Sequence, residues 1–202
     1  MTGTFARALG AILIISIFVP AFAVAQQAER PDEAVFAFGG RYFTDHMEGI
    51  LNPGGPFGLS YEDNVVFGAG YQRFLVETDI GVRLGVEGGV AMRAGERVAG
   101  EAWAGLVGRY EGLSIGPVAI TPSLTLGVSA VTDTIGIESQ RVAPGADPHA
   151  LIYIAPEIAT SIGADSDVEA FYRIQHRSGA WGTVNGMGDG ANAGTIGLRF
   201  RY

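Results

Sequence analysis

Apolar and polar positions alternate along much of the chain. Ile80, Val82, Leu84 and Val86 are interleaved with Gly81, Arg83, Gly85 and Glu87. Val118, Ile120, Leu124, Leu126, Val128 and Ala130 alternate with Thr121, Ser123, Thr125, Gly127 and Ser129, and Ile196, Leu198, Phe200 and Tyr202 with Thr195, Gly197, Arg199 and Arg201. A period of two belongs to a β-strand, whose successive side chains point to opposite faces. Eight strands can be drawn on this basis, at about 34–42, 64–76, 79–92, 97–110, 117–130, 150–161, 167–178 and 191–202.

Which face is apolar decides the architecture. A soluble sandwich points its apolar face into a core, whereas an outer-membrane barrel turns it towards lipid and lines its interior with the polar face. The segments are about ten residues long, the length a tilted strand needs to cross a bilayer. The C-terminal "LRFRY" resembles the terminal strand signature of outer-membrane proteins. The expected fold is therefore all-β: an eight-stranded antiparallel transmembrane barrel of the outer membrane.

The first residues agree with export. "MTGTFARALGAILIISIFVPAFAVAQQ" has a basic start at Arg7, an apolar run broken by Pro20 and a small-x-small end at Ala23-Val24-Ala25. Residues 1–25 read as a cleaved signal peptide and 26–202 as the barrel domain. The connections "TDHMEGILNPGGPFGLSYED", "TDTIGIESQRVAPGADPH" and "GAWGTVNGMGDG" are long, while those around "ETD" and "GADSD" are short. The long ones are expected outside the cell, with both termini periplasmic. Pro122 and Pro156 fall within strands, where each removes a ladder donor and calls for a bulge or a shorter strand.

Composition narrows the function. There is no cysteine, so neither a disulfide nor a thiolate metal site is available. A net charge of -8 argues against nucleic acid as a partner. Arg41, Arg83, Glu87, Glu101, Arg109, Glu157, Glu169, Arg173 and Arg199 carry both signs and are expected to pair inside the barrel. Eight strands leave room for side chains and none for an aqueous channel, which disfavours a porin. "GMGDG" opens no helix and so is not read as a nucleotide loop. His46 and His149 are read as solvated loop residues, and Trp103 and Trp181 as packing or interfacial rings.

One stretch, "FYRIQHRSGAW", carries candidate chemistry. His176 and Ser178 share the outward parity of Val168, Ala170, Tyr172 and Ile174, at the upper end of their strand. Two reasons for this are open: the strand has already left the bilayer, or imidazole and hydroxyl stand side by side for nucleophilic attack.

From "FYRIQHRSGAW" through "GANAGTIGLRFRY", about the last 35 residues, the chain resembles the PagL-type lipid A 3-O-deacylases, also termed acyloxyacyl hydrolases. The resemblance implies Ser178 as nucleophile and His176 as general base in hydrolysing the ester of a 3-hydroxyacyl chain on lipid A. It implies no cofactor and no metal, with lipopolysaccharide of the outer leaflet as partner. The family's third member is a glutamate on the last strand, and no Glu follows Glu169 here. Asn192 takes its place by position, with Asp189 as the alternative. A backbone N–H near Gly179 is the expected oxyanion donor. A homodimer is compatible with the sequence. The competing reading is a non-catalytic barrel of the OmpA/OmpX or opacity type, acting in adhesion or envelope stability.

Overall fold

In a computed structural model that describes residues 31–202, all eight expected strands form. In chain order they are β1 (Glu33–Phe43), β2 (Tyr61–Glu77), β3 (Val82–Ala94), β4 (Ala99–Tyr110), a short extra β5 (Leu113–Ile115), β6 (Val118–Val131), β7 (Ala150–Ile162), β8 (Val168–Ser178) and β9 (Asp189–Arg201). The expected signal peptide, residues 1–25, lies outside the described residues. Neighbouring strands pair antiparallel, β4 pairs with β6, and β1 pairs with β9. The sheet thus closes on itself as an eight-stranded barrel, with β5 pairing against the start of β6 beyond the end of β4.

The alternation runs apolar side out. Leu84 and Val86 are 48% and 40% exposed, while Arg83 and Glu87 between them are 1% and 3% exposed. Burying ions costs several kcal/mol each unless they are paired and hydrogen-bonded, and here they are. Arg173 holds Glu87 at 2.8 Å through Nη1 and Glu157 at 2.8 Å through Nε. Arg199 joins Glu157 at 2.6 Å and Glu169 at 2.9 Å, and Arg109 joins Glu169 at 2.5 Å. Glu87 also accepts from Gln72, from Trp103 Nε1 and from Thr125. Beside these charges lies a layer of rings: Phe36, Phe38, Trp103, Tyr153 and Phe171. Side chains fill the lumen.

Arg41 departs from the expected interior set. Phe36, Phe38 and Tyr42 point inwards, so Arg41 faces out; its guanidinium bonds Glu62 O and Asp63 and lies over the Tyr61 ring. The prolines need neither a bulge nor a shorter strand. Pro156 stays in register with Leu124 of β6, and the β7–β8 ladder is interrupted only at residues 155 and 156 before resuming at Glu157↔Arg173. Pro122 sits where β6 changes partner from β4 to β5. Each proline occupies a place where one neighbour makes no ladder bond.

The long connections, residues 44–60, 132–149 and 179–188, emerge at the same end. Within them are 3-10 turns at Met47–Leu51 and Gly55–Gly58 and a single helical turn, α1, at Ile137–Gln140.

Candidate functional site on the outer wall

His176, Ser178 and Asn192 occupy the outward parity of β8 and β9 at the long-loop end. His176 lies opposite Asn192, and Ser178 opposite Asp189. One residue, Arg177, separates the pair on β8, whereas two, Gly190 and Ala191, separate its partners on β9. This is a bulge, which bends a strand and re-aims the side chains beside it.

These outward positions are nonetheless covered. His176 is 8% exposed and Asn192 0%, because residues 44–60 fold back over the outside of the barrel. Leu59, Met47 and Ile50 pack on Phe43, Ile174 and Tyr172, and Asn192 Nδ2 donates to Asp45 O at 2.9 Å. That last bond fixes which end of the Asn192 carboxamide faces which neighbour. With Nδ2 committed to a carbonyl, Oδ1 is the end presented to His176, 2.5 Å from Nδ1. A carboxamide oxygen only accepts, so His176 Nδ1 carries the proton and donates it. Nε2 is left as the basic nitrogen.

Asp189 lies near without bonding the ring. Its Oδ1 is 3.9 Å from His176 Nδ1, beyond hydrogen-bond reach, and accepts from Gly190 N at 2.9 Å. Its Oδ2 receives His46 Nδ1 at 3.0 Å and Arg141 Nη1 at 2.9 Å. Of the two candidates for orienting His176, Asn192 is the one in contact. His46, read from sequence as solvated, bonds Asp189 although its ring is largely exposed. His149 behaves as expected, pairing locally with Asp147 on the surface.

Ser178 is half-buried, and its Oγ accepts from Ala180 N at 3.1 Å rather than bonding His176. Gly179 is packed so closely on Met187 that a Cβ there would overlap the Met187 carbonyl. The backbone N–H that meets Ser178 Oγ is Ala180's. Ala180 and Trp181 both have left-handed φ, +50° and +55°, which costs roughly 1–2 kcal/mol per residue. Bonds from Trp181 N to Gly188 O, Gly182 N to Met187 O and Val184 N to Gly179 O hold the turn in that shape.

One outward position below His176 begins an apolar cleft of about 460 Å³. Met47, Ile50 and Leu51 of the first loop form one side, and Pro122, Pro156 and Ile174 of the wall the other. A wider outer groove continues down the barrel and shares Ile158 and Tyr172 with it. Among the described residues no three His, Asp or Glu side chains come together as a metal site would require.

Nothing in the sequence marks Asp45 or Arg141 as neighbours of Asn192 and Asp189. These residues come from loops, where no periodic pattern announces a partner.

Fold and wall together define a class: an eight-stranded β-barrel of the outer-membrane type, with a buried polar cluster on its outer face. No protein-family model and no curated protein sequence matches the chain. Among solved structures it is similar to the outer membrane enzyme PagL, at 14% identity and a TM-score of 0.56, covering 84% of this chain and 99% of that one. It is also similar to Neisserial surface protein A, at 13% identity and a TM-score of 0.50, covering 85% and 97%. At these identities the likeness establishes the shared barrel fold.

Proposed function

We propose that the protein is a serine esterase of the outer membrane that removes the 3-O-linked 3-hydroxyacyl chain from lipid A. The observation that carries this reading is the contact between His176 Nδ1 and Asn192 Oδ1 at 2.5 Å, on the lipid-facing side and next to Ser178. Ser178 Oγ attacks the acyl ester carbonyl and His176 Nε2 takes its proton. Asn192 keeps the imidazole in the required tautomer and orientation. Being neutral, it stabilises the resulting imidazolium less than a carboxylate does. The backbone N–H near Gly179 is the donor for the negative charge that develops on the carbonyl oxygen, since the Ala180 N–H is engaged by Ser178 Oγ; one such donor contributes about 10²–10³ in rate. His176 then gives the proton to the departing sugar oxygen, which leaves as a hydroxyl, and water activated by His176 hydrolyses the acyl-Ser178 ester to release the hydroxy fatty acid and restore the serine hydroxyl.

The surroundings suit a lipid substrate. The cleft that starts at Ile174 offers an apolar path for an acyl chain, open on the side where the barrel meets hydrocarbon.

Expression in a Gram-negative host is expected to remove one hydroxyacyl chain from lipid A, read by mass spectrometry. The Ser178→Ala variant, folded and present in the outer membrane, is expected to leave lipid A intact. Intact lipid A with the wild-type barrel present would overturn the reading. A second reading, a non-catalytic barrel acting through its loops, is favoured by the Ser178 Oγ contact with Ala180 N in place of His176. Reaction of Ser178 with a fluorophosphonate in detergent separates the two.

A further inference from the structure

Behind the outward pair, on the lumen side of the same wall, stands a second cluster with no part in the chemistry above. Arg177 lies between His176 and Ser178 and points inwards, 2% exposed. Its guanidinium bonds Glu138, Ser129 Oγ at 3.0 Å and the Pro148 carbonyl at 2.9 Å. Glu138, completely buried, is the inward residue of the helical turn α1, and its other oxygen takes Arg93 Nη2 at 2.7 Å. Arg93 in turn bonds the Tyr42 hydroxyl at 2.8 Å. Arg141 directly follows α1 and reaches the opposite side of the bulge. It donates to Gly190 O at 2.8 Å and Thr44 O at 2.9 Å and pairs with Asp189 at 2.9 Å.

We infer that residues 138–141 clamp the β8–β9 bulge from both sides of the barrel wall, with Glu138 and Arg141 as positioning residues for His176, Ser178 and Asn192. The clamp has two jaws. Glu138 fixes Arg177, and through it the spacing of His176 and Ser178 on β8. Arg141 fixes Asp189 and Gly190, and through them the start of β9, where Asn192 lies two residues on. A bulge leaves its extra residue without ladder bonds, so its shape depends on bonds from elsewhere. Here those bonds come from a loop more than 35 residues away in sequence. Displacing reacting groups by about 1 Å costs on the order of 10²-fold in rate, which gives such a clamp leverage without any contact to substrate.

This inference rests on the esterase reading, and its test separates the two. Arg141→Ala, at a partly exposed position, and Glu138→Gln are compared with wild type as folded, heat-modifiable barrels in detergent. Fluorophosphonate labelling of Ser178, ester turnover and hydrogen exchange of residues 176–178 and 189–192 are measured on each. Expected for both variants is a fall in kcat of about 10- to 100-fold with KM within about twofold, and loss of exchange protection at 189–192. If Glu138→Gln does not fold, Arg141→Ala alone decides. Wild-type kcat and unchanged protection in the folded variants overturn the clamp. If wild type itself neither labels nor turns over, the esterase reading fails; the clamp then stands on loss of exchange protection and falls without it.

Discussion

Arg173 and His176 lie three residues apart on β8 and face opposite sides of one barrel wall. Both are buried, by different means. Arg173 is enclosed by closure of the sheet and meets Glu87 and Glu157, carried by β3 and β7. His176 is covered by one loop and meets one neutral amide, Asn192. Burial by the closed barrel cannot be relieved without opening the barrel. Burial by residues 44–60 ends when that loop lifts. The same strand thus contributes stability on one face and, in the proposed function, chemistry on the other.

The largest expected effect lies on the lumen side. Glu87→Ala leaves Arg173 short of a buried partner and is expected to cost about 3–5 kcal/mol, read as an earlier urea midpoint in detergent. Hydrolysis per folded barrel should stay close to wild type. Next comes Asn192→Ala, which frees the imidazole to turn: turnover is expected to drop about 10- to 100-fold, or about 1.4–2.7 kcal/mol. Its urea midpoint should move less than that of Glu87→Ala; the reverse order would break the division between the two faces. Smallest is Arg41→Ala. This exposed pair with Asp63 is expected to change stability by about 0–1 kcal/mol, and a larger loss would mean that Arg41 belongs with the lumen network after all.

The strands were legible because most of them obey one rule, apolar side out. β1 does not. Its Phe36 and Phe38 turn inwards to join the ring layer, leaving the smaller Val35 and Ala37 outside. Reading "AVFAFGGRYF" by the same rule puts the aromatic residues in lipid and Arg41 in the lumen, because the rule assumes a polar interior at every depth. Two consecutive glycines, Gly39 and Gly40, also remove the side chains that would have marked the parity. The prolines misled for a related reason: a ladder is judged from sequence as continuous on both sides, and here each proline faces a gap on one side only. Of the candidate site, the His176 and Ser178 spacing and the outward parity of Asn192 could be read from the strand pattern, whereas the choice of Asn192 as their partner comes from the family resemblance. The cover by residues 44–60, the Asp45 carbonyl and the Arg141 link to Asp189 join segments distant in sequence, and no local pattern encodes them.

The lumen pairs also join strands that are far apart in the chain. Among the described residues Glu87, on β3, has Arg173 of β8 as its ion-pair partner, and Arg109, on β4, pairs with Glu169 of β8. Arg199, which ties Glu157 to Glu169, arrives only with β9. A chain that has laid down only its first strands therefore leaves Glu87 without its cation and Arg109 with Glu111 alone, and burial of an ion short of a partner is costly. Closing the seam between β9 and β1 thus completes the ion pairs of the interior together with the sheet.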